Sequence, residues 1–296
     1  MTIKTPRLAL IRTGSACKHN DDPEHARIWL AERYHLVADY HPDTQAWLSP
    51  EQRAQICLNY LLNDDYDVLW LFRGGEGTAD ILPFLHAQME RIKQAKPKLL
   101  LGFSDFTAIG NYFNQTYDWP VIHGPNVVQT ARERIDAESI HATMPFLSDL
   151  NAPLMLTDLH PFNQLAHVQR EVVGKLCGGN LSVLAISIKD IWEIQSANKI
   201  LIIEDVDERP HKIARTLNYF QRIGIFSNVR ALIFGDFIYH HEEEQQAIMR
   251  TLHRFAASCN FPVLHTVEFG HGKRNMPLPF YREAHLHLGE RPKLWM

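Results

Sequence analysis

Three side chains in this 296-residue chain are of types that acyl-transfer chemistry uses and stand beside strand ends or glycines: Ser104 after one apolar run, Glu204 at the end of another, and His271 between two glycines. Ser104 lies in Gly102-Phe103-Ser104-Asp105, directly after Lys98-Leu-Leu-Leu, at a sharp turn from a strand to a helix beginning at Asp105 or Phe106. Such a turn lifts a hydroxyl out of the carboxyl edge of a sheet. The backbone N–H of the next residue, Asp105, can then hold a developing oxyanion. Serine is also a favoured helix N-cap, and on this turn alone both readings stand. Phe106 occupies the place of the last glycine in Gly-x-Ser-x-Gly, which disfavours an ordinary α/β-hydrolase.

A second turn, Arg73-Gly74-Gly75-Glu76-Gly77, also follows an apolar run and offers Gly75 as a second oxyanion donor. Equally, it reads as a tight turn that needs positive φ. Neither Gly-x-Gly-x-x-Gly nor Gly-x4-Gly-Lys-Ser/Thr is present, so nucleotide binding is weakly supported. Glu204 closes Ile200-Leu-Ile-Ile and precedes Asp205, Asp207 and Glu208. A carboxylate there could orient an imidazole, or belong to an acidic cluster ahead of a helix. His271, in Phe269-Gly270-His271-Gly272, is one of 17 histidines, and spacing alone does not separate a general base from a surface ring. His240-His241-Glu242 and His285-Leu286-His287 offer neighbouring metal ligands, but no His-Glu-x-x-His and no clear third ligand accompany them, so no metal is expected.

The elements that must position these residues alternate in the first half between short apolar runs and amphipathic segments, the pattern of a parallel sheet with crossover helices. Strands are expected at Leu8–Ile11, His35–Ala38, Val68–Phe72 and Lys98–Gly102, with helices over 24–34, from the Ser49-Pro50-Glu51-Gln52 capping signature to about Leu62, and over 78–93, where Pro83 must sit in the first turn or kink the helix. Residues 129–170 have weak periodicity and several prolines, which places a domain boundary inside them. Beyond it, strands are expected at Ile200–Glu204, Ala231–Phe234, Pro262–His265 and Ala284–Leu288, with a helix at Ile213–Ile223.

Bulk properties narrow the function classes. Hydrophobic residues make up 45% and charged residues 22%, an ordinary globular balance rather than a disordered one. A net charge of −4 with scattered basic residues lacks the footprint that nucleic acid or an anionic membrane demands, so small polar substrates fit better. The four cysteines, Cys17, Cys57, Cys177 and Cys259, form no Cys-x-x-Cys pair, and the default is a reducing compartment. No secretory signal is read at the N-terminus, and no apolar segment approaches the roughly 20 residues of a spanning helix, so a cytoplasmic location is expected.

Read in order, Arg73-Gly-Gly-Glu-Gly77, Gly102-Phe-Ser-Asp-Phe-Thr107, His123-Gly-Pro125, Gly178-Gly-Asn-Leu181, Leu201-Ile-Ile-Glu-Asp205 and Gly270-His271 resemble the LD-carboxypeptidase family, which also contains the microcin self-immunity peptidases. The resemblance runs over nearly the whole chain. It implies Ser104 as nucleophile, Glu204 as triad acid and His271 as base, with backbone donors at Gly75 and Asp105 and no cofactor. The implied architecture is α/β: an N-terminal parallel-sheet domain over 1–150 carrying the elbow, and a smaller, strand-rich C-terminal α/β domain over 151–296 supplying acid and base, often in a homodimer. The implied activity is release of the terminal D-alanine from a murein tetrapeptide in peptidoglycan recycling, through an acyl-enzyme.

Two departures bear on substrate choice. Glu76 stands where the family usually has an aromatic residue, and His211-Lys-Ile-Ala-Arg215 stands where Tyr-Arg-Ile-Asp-Arg is common. Arg73 is a candidate for gripping a substrate carboxylate. Two alternatives remain: the same chemistry on microcin-like peptidyl nucleotides, or a non-catalytic peptide-binding module on this scaffold.

Overall fold

A computed structural model of the chain describes residues 5–14, 21–42 and 47–296, and Cys17 lies outside them. The chain divides into two compact units, Met1–Ala152 and Pro153–Met296.

In the first unit the apolar runs become β1 (Arg7–Ile11), β2 (Val37–Tyr40), β3 (Val68–Leu71), β4 (Leu99–Gly102) and β5 (Val121–His123). Leu8, Leu69, Trp70 and Leu100 are fully buried, as expected of strands covered on both faces. These strands lie in the order β5-β4-β3-β1-β2, and every neighbouring pair among them is parallel. The order reverses between β1 and β3. Open parallel sheets leave a ligand crevice at such a point, outside the carboxyl ends of the strands.

Helix α1 (Pro23–Tyr34) is capped by Asp22, and α2 (Pro50–Leu62) carries the full Ser49/Gln52 capping box. Two expectations are corrected. The second strand starts at Val37 rather than His35, because His35 takes φ 55° and closes α1 with a left-handed cap. The single helix over 78–93 is instead a 3-10 turn at Ala79–Ile81, then α3 (Leu82–His86) and α4 (Met89–Gln94). Pro83 sits in the first turn of α3, where its missing N–H does no harm, and its ring would obstruct a helix running through from Thr78.

The second unit holds β6 (Met155–Leu156), β7 (Leu159–Pro161), β8 (Glu171–Asn180), β9 (Ile200–Val206), β10 (Ala231–Ile238), β11 (Val263–Gly270), β12 (Leu278–Pro279), β13 (Glu283–His287) and β14 (Lys293–Trp295). Eight of these form a mixed sheet in the order β6-β14-β13-β8-β9-β10-β11-β7. Its centre, β8 to β11, is parallel and its flanks are antiparallel. The helices Pro210–Ile223 and Glu242–Ala257 cover one face. Each inserts residues at i, i+4 and i+7, namely Ile213, Leu217 and Phe220, and Ile248, Leu252 and Phe255, into a core with Leu201, Leu232 and Val263. The unit is strand-rich, as expected, and nearly matches the first in length. Strand β8 has no clear sequence signal because its glycines, Gly174, Gly178 and Gly179, hide the apolar pattern.

Candidate active site

Within the first unit, Ser104 occupies a backbone conformation that a serine rarely adopts: its φ is +66°. A non-glycine residue held there costs on the order of 1 kcal/mol or more and persists only where its surroundings enforce it. The enforcement is local. Strand β4 ends at Gly102, and a Cβ built there would lie 2.6 Å from the Phe106 ring and 2.8 Å from Leu71 Cβ, so the chain turns with Phe106 folded back beneath it. Phe106, which departs from the Gly-x-Ser-x-Gly pattern, thus fills the space under the turn.

Residues Ser104–Phe106 form a 3-10 turn that leads into α5 (Thr107–Tyr117). The helix therefore starts one to two residues later than expected. The capping alternative for Ser104 is set aside, since the cap positions of the two elements are Phe103 and Phe106.

The glycine turn packs on this elbow. Gly75 and Gly77 take φ of 140° and 93°, and a Cβ on Gly74 would stand 3.1 Å from Ser104 Cβ and 3.3 Å from its Oγ. Thr78, just beyond the turn, donates both its N–H (2.8 Å) and its hydroxyl (2.6 Å) to Asp105 Oδ2. Burial raises the Asp105 carboxyl above its usual range, opposed by the Thr78 hydrogen bonds and the Arg53 charge.

Arg73 and Glu76 part company. Arg73 Nε lies 3.2 Å from Oδ2 of the buried Asp21, so this arginine is engaged within the protein. Glu76 is exposed and lines a cavity of about 430 Å³ with Arg12, Gly14, Arg53, Gly77 and Asp80, at the crevice between the ends of β1 and β3. Arg12 and Arg53 are each 7% exposed. They are the cations sequence reasoning missed, because nothing in their local sequence marks them.

Within the second unit, Glu204 and His271 come together. Glu204 is the fifth residue of β9, fully buried, and its Oε2 is 2.6 Å from His271 Nδ1. His271 follows β11 at once, two strands away in the sheet. A carboxylate only accepts, so Nδ1 carries the hydrogen and Nε2 is the basic nitrogen of the neutral ring. Burial alone would lower the pKa of His271, but the charge and hydrogen bond of Glu204 outweigh it and hold the pKa above its ordinary value.

Two further carboxyls surround the pair. Asp205 accepts from Asn180 Nδ2 (3.0 Å) and from the N–H and hydroxyl of Ser182 (3.0 and 2.7 Å). Asp236, opposite Gly270 in register, was not singled out from sequence. Burial first, and then the charge of Glu204, pushes both Asp205 and Asp236 up to about 6.

Among the described residues, no three His, Cys, Asp or Glu side chains are grouped to hold a metal ion. His240 instead meets Asp207 at 3.0 Å, and His285 meets Glu171 at 3.3 Å while stacking on Trp295. No described helix is long and apolar enough to cross a membrane.

Residues 9–124 match the model of the LD-carboxypeptidase N-terminal domain and residues 173–286 that of the LD-carboxypeptidase C-terminal domain. A Rickettsia conorii protein named for a carboxypeptidase is 33% identical over 241 residues, covering 81% of this chain and 74% of that protein. The murein tetrapeptide carboxypeptidase of Pseudomonas aeruginosa is 28% identical over 244 residues, covering 79% and 76%. The crystal structure of muramoyltetrapeptide carboxypeptidase from Oxalobacter formigenes shares the fold, with a TM-score of 0.82 at 22% identity over 98% of each chain. So does an MccF-like protein from Bacillus anthracis, with a TM-score of 0.82 at 16% identity over 99% of this chain and 97% of that one.

Proposed function

This chain belongs to the LD-carboxypeptidase family and is a serine-type carboxypeptidase, and from that premise we propose that Ser104, His271 and Glu204 form its catalytic triad and that it releases the terminal D-alanine of murein tetrapeptides. The observation that carries this reading is the 2.6 Å contact between Glu204 Oε2 and His271 Nδ1. It sets the tautomer that a general base requires and places a buried negative charge beside the imidazolium formed during the reaction.

In the proposed mechanism, His271 Nε2 takes the Ser104 proton as Oγ attacks the peptide carbonyl. The N–H groups of Gly75 and Asp105 receive the oxyanion, and one such donor is worth about 3 to 4 kcal/mol. His271 returns the proton to the departing amine of D-alanine. Water, deprotonated by the same nitrogen, then hydrolyses the acyl-enzyme.

The cavity beside the glycine turn, with Arg12 and Arg53 on its wall and Glu76 and Asp80 in its lining, suits a peptide bearing both charge signs. Relatives named for murein peptides favour that substrate over a peptidyl nucleotide. The reading places the enzyme in the cytoplasm, on peptides returned from wall turnover. Its test is mass-spectrometric detection of D-alanine and tripeptide from a purified murein tetrapeptide. Release by wild type and none by Ser104→Ala is expected, and a fully active Ser104→Ala would overturn the triad.

A further inference from the structure

Asp105 carries two functions on one residue. Its backbone N–H is an oxyanion donor in the reading above, on which this inference rests, while its side chain reaches away to the segment that ends the glycine turn. Oδ2 accepts the Thr78 N–H at 2.8 Å and the Thr78 hydroxyl at 2.6 Å. With its hydrogen committed to Asp105, the Thr78 hydroxyl must accept from Thr13, whose Oγ1 is 2.8 Å away. Thr13 and Thr78 are fully buried and Asp105 is 7% exposed, so the chain of hydrogen bonds from Thr13 through Thr78 to Asp105 is shielded from water and its members polarise one another.

Arg53 closes the arrangement from the other side, donating through Nη1 to the carbonyls of Thr13 and of Gly77, the latter at 2.9 Å. The loop after β1 fits closely against the same carboxylate. A Cβ on Gly14 would lie 2.9 Å from Asp105 Oδ2 and 2.6 Å from the Glu76 carbonyl oxygen. Loops after β1, β3 and β4 thus converge on one carboxylate.

We infer that Asp105 is a positioning residue whose carboxylate, through Thr78, fixes the spacing between the two oxyanion donors at Gly75 and Asp105. The physical need is clear. Gly75 and Gly77, with φ of 140° and 93°, have no side chains to hold the turn and the Glu76 side chain between them is exposed, while oxyanion donors act only when they are already aimed at the place where charge develops. A buried carboxylate accepting two hydrogen bonds supplies the rigidity that the glycines lack.

The test compares Asp105→Ala, Thr78→Val and Thr78→Ser with wild type on murein tetrapeptide, with kcat expressed per folded molecule from circular dichroism. A peptide aldehyde whose hemiacetal with Ser104 would place an oxygen in the oxyanion position is titrated alongside. Asp105→Ala should lower kcat roughly 30- to 100-fold with KM within about twofold, and weaken the aldehyde in proportion to kcat. Thr78→Val should share the defect, and Thr78→Ser, which keeps both donors, should recover most of it.

A purely structural role would lower the folded fraction and leave kcat per folded molecule and aldehyde affinity unchanged, and that result overturns the inference while the triad stands. If instead wild type releases no D-alanine, or Ser104→Ala is fully active, the functional reading itself falls and takes this inference with it.

Discussion

Glu204 Oε2 and His271 Nδ1 stand 2.6 Å apart although 67 residues separate them in sequence, and the Glu204 side chain is wholly excluded from solvent. A carboxylate so placed is costly unless a donor compensates it, and the imidazole N–H is that donor. The pair also raises the pKa of His271, which gives a direct handle in solution.

The first prediction concerns pH. A base must be neutral, and a pKa held above the ordinary 6.5 means that the neutral ring is reached only at higher pH. The acidic limb of kcat/KM should therefore lie above 6.5. Glu204→Gln removes the charge that lifts it, so the limb should move to lower pH while kcat falls by roughly 10³- to 10⁴-fold. A limb unmoved by this substitution would show that Glu204 does not govern the base.

Ser104 should display a conflict between stability and activity. Its φ of +66° is one that glycine accepts readily, so Ser104→Gly should abolish turnover yet raise stability by about 1 kcal/mol, read as a shift in urea midpoint. Ser104→Ala should lose turnover without that gain. A destabilised Ser104→Gly would mean that side-chain contacts, not backbone strain, dominate at the elbow.

Asp236 should make the protein less stable as pH rises. Its folded-state pKa of about 6 lies above its ordinary 3.8, so the folded protein holds the extra proton between those values. Stability from this group is present below pH 3.8 and is lost as pH rises through about 6. Asp236→Asn should then raise Tm at pH 7.5 and leave it nearly unchanged at pH 3.5. Equal effects at both values would exclude the linkage.

Gly270 is expected to be intolerant. Its φ is +132°, and a Cβ there would stand 2.8 Å from the Asp236 carbonyl oxygen, directly before His271. Gly270→Ala should cost about 1 to 3 kcal/mol and depress kcat by displacing the imidazole. A variant with wild-type Tm and kcat would count against the tight register of β10 and β11 at this point.

Much of the fold was legible because burial writes itself into composition. The runs at Leu8–Ile11, Val68–Leu71 and Leu99–Leu101 are apolar because both faces of those strands are covered, and the Ser49 capping box is a local hydrogen-bond pattern that needs no tertiary partner. What misled was also physical. The segment over 78–93, read as one helix, is divided into shorter turns with Pro83 opening the second, and the glycines of β8 left little pattern to read.

Local sequence suffices for the capping box, for the apolar strands that lead to Ser104 and carry Glu204, and for the glycines around His271, since each depends on neighbours a few residues away. The folded chain alone brings Glu204 to His271, holds Arg73 on Asp21 while Arg12 and Arg53 line the cavity, and carries Asp105 to Thr78. Such pairings depend on strand order and register, which bring distant residues into hydrogen-bond reach and leave no mark in the residues immediately around them.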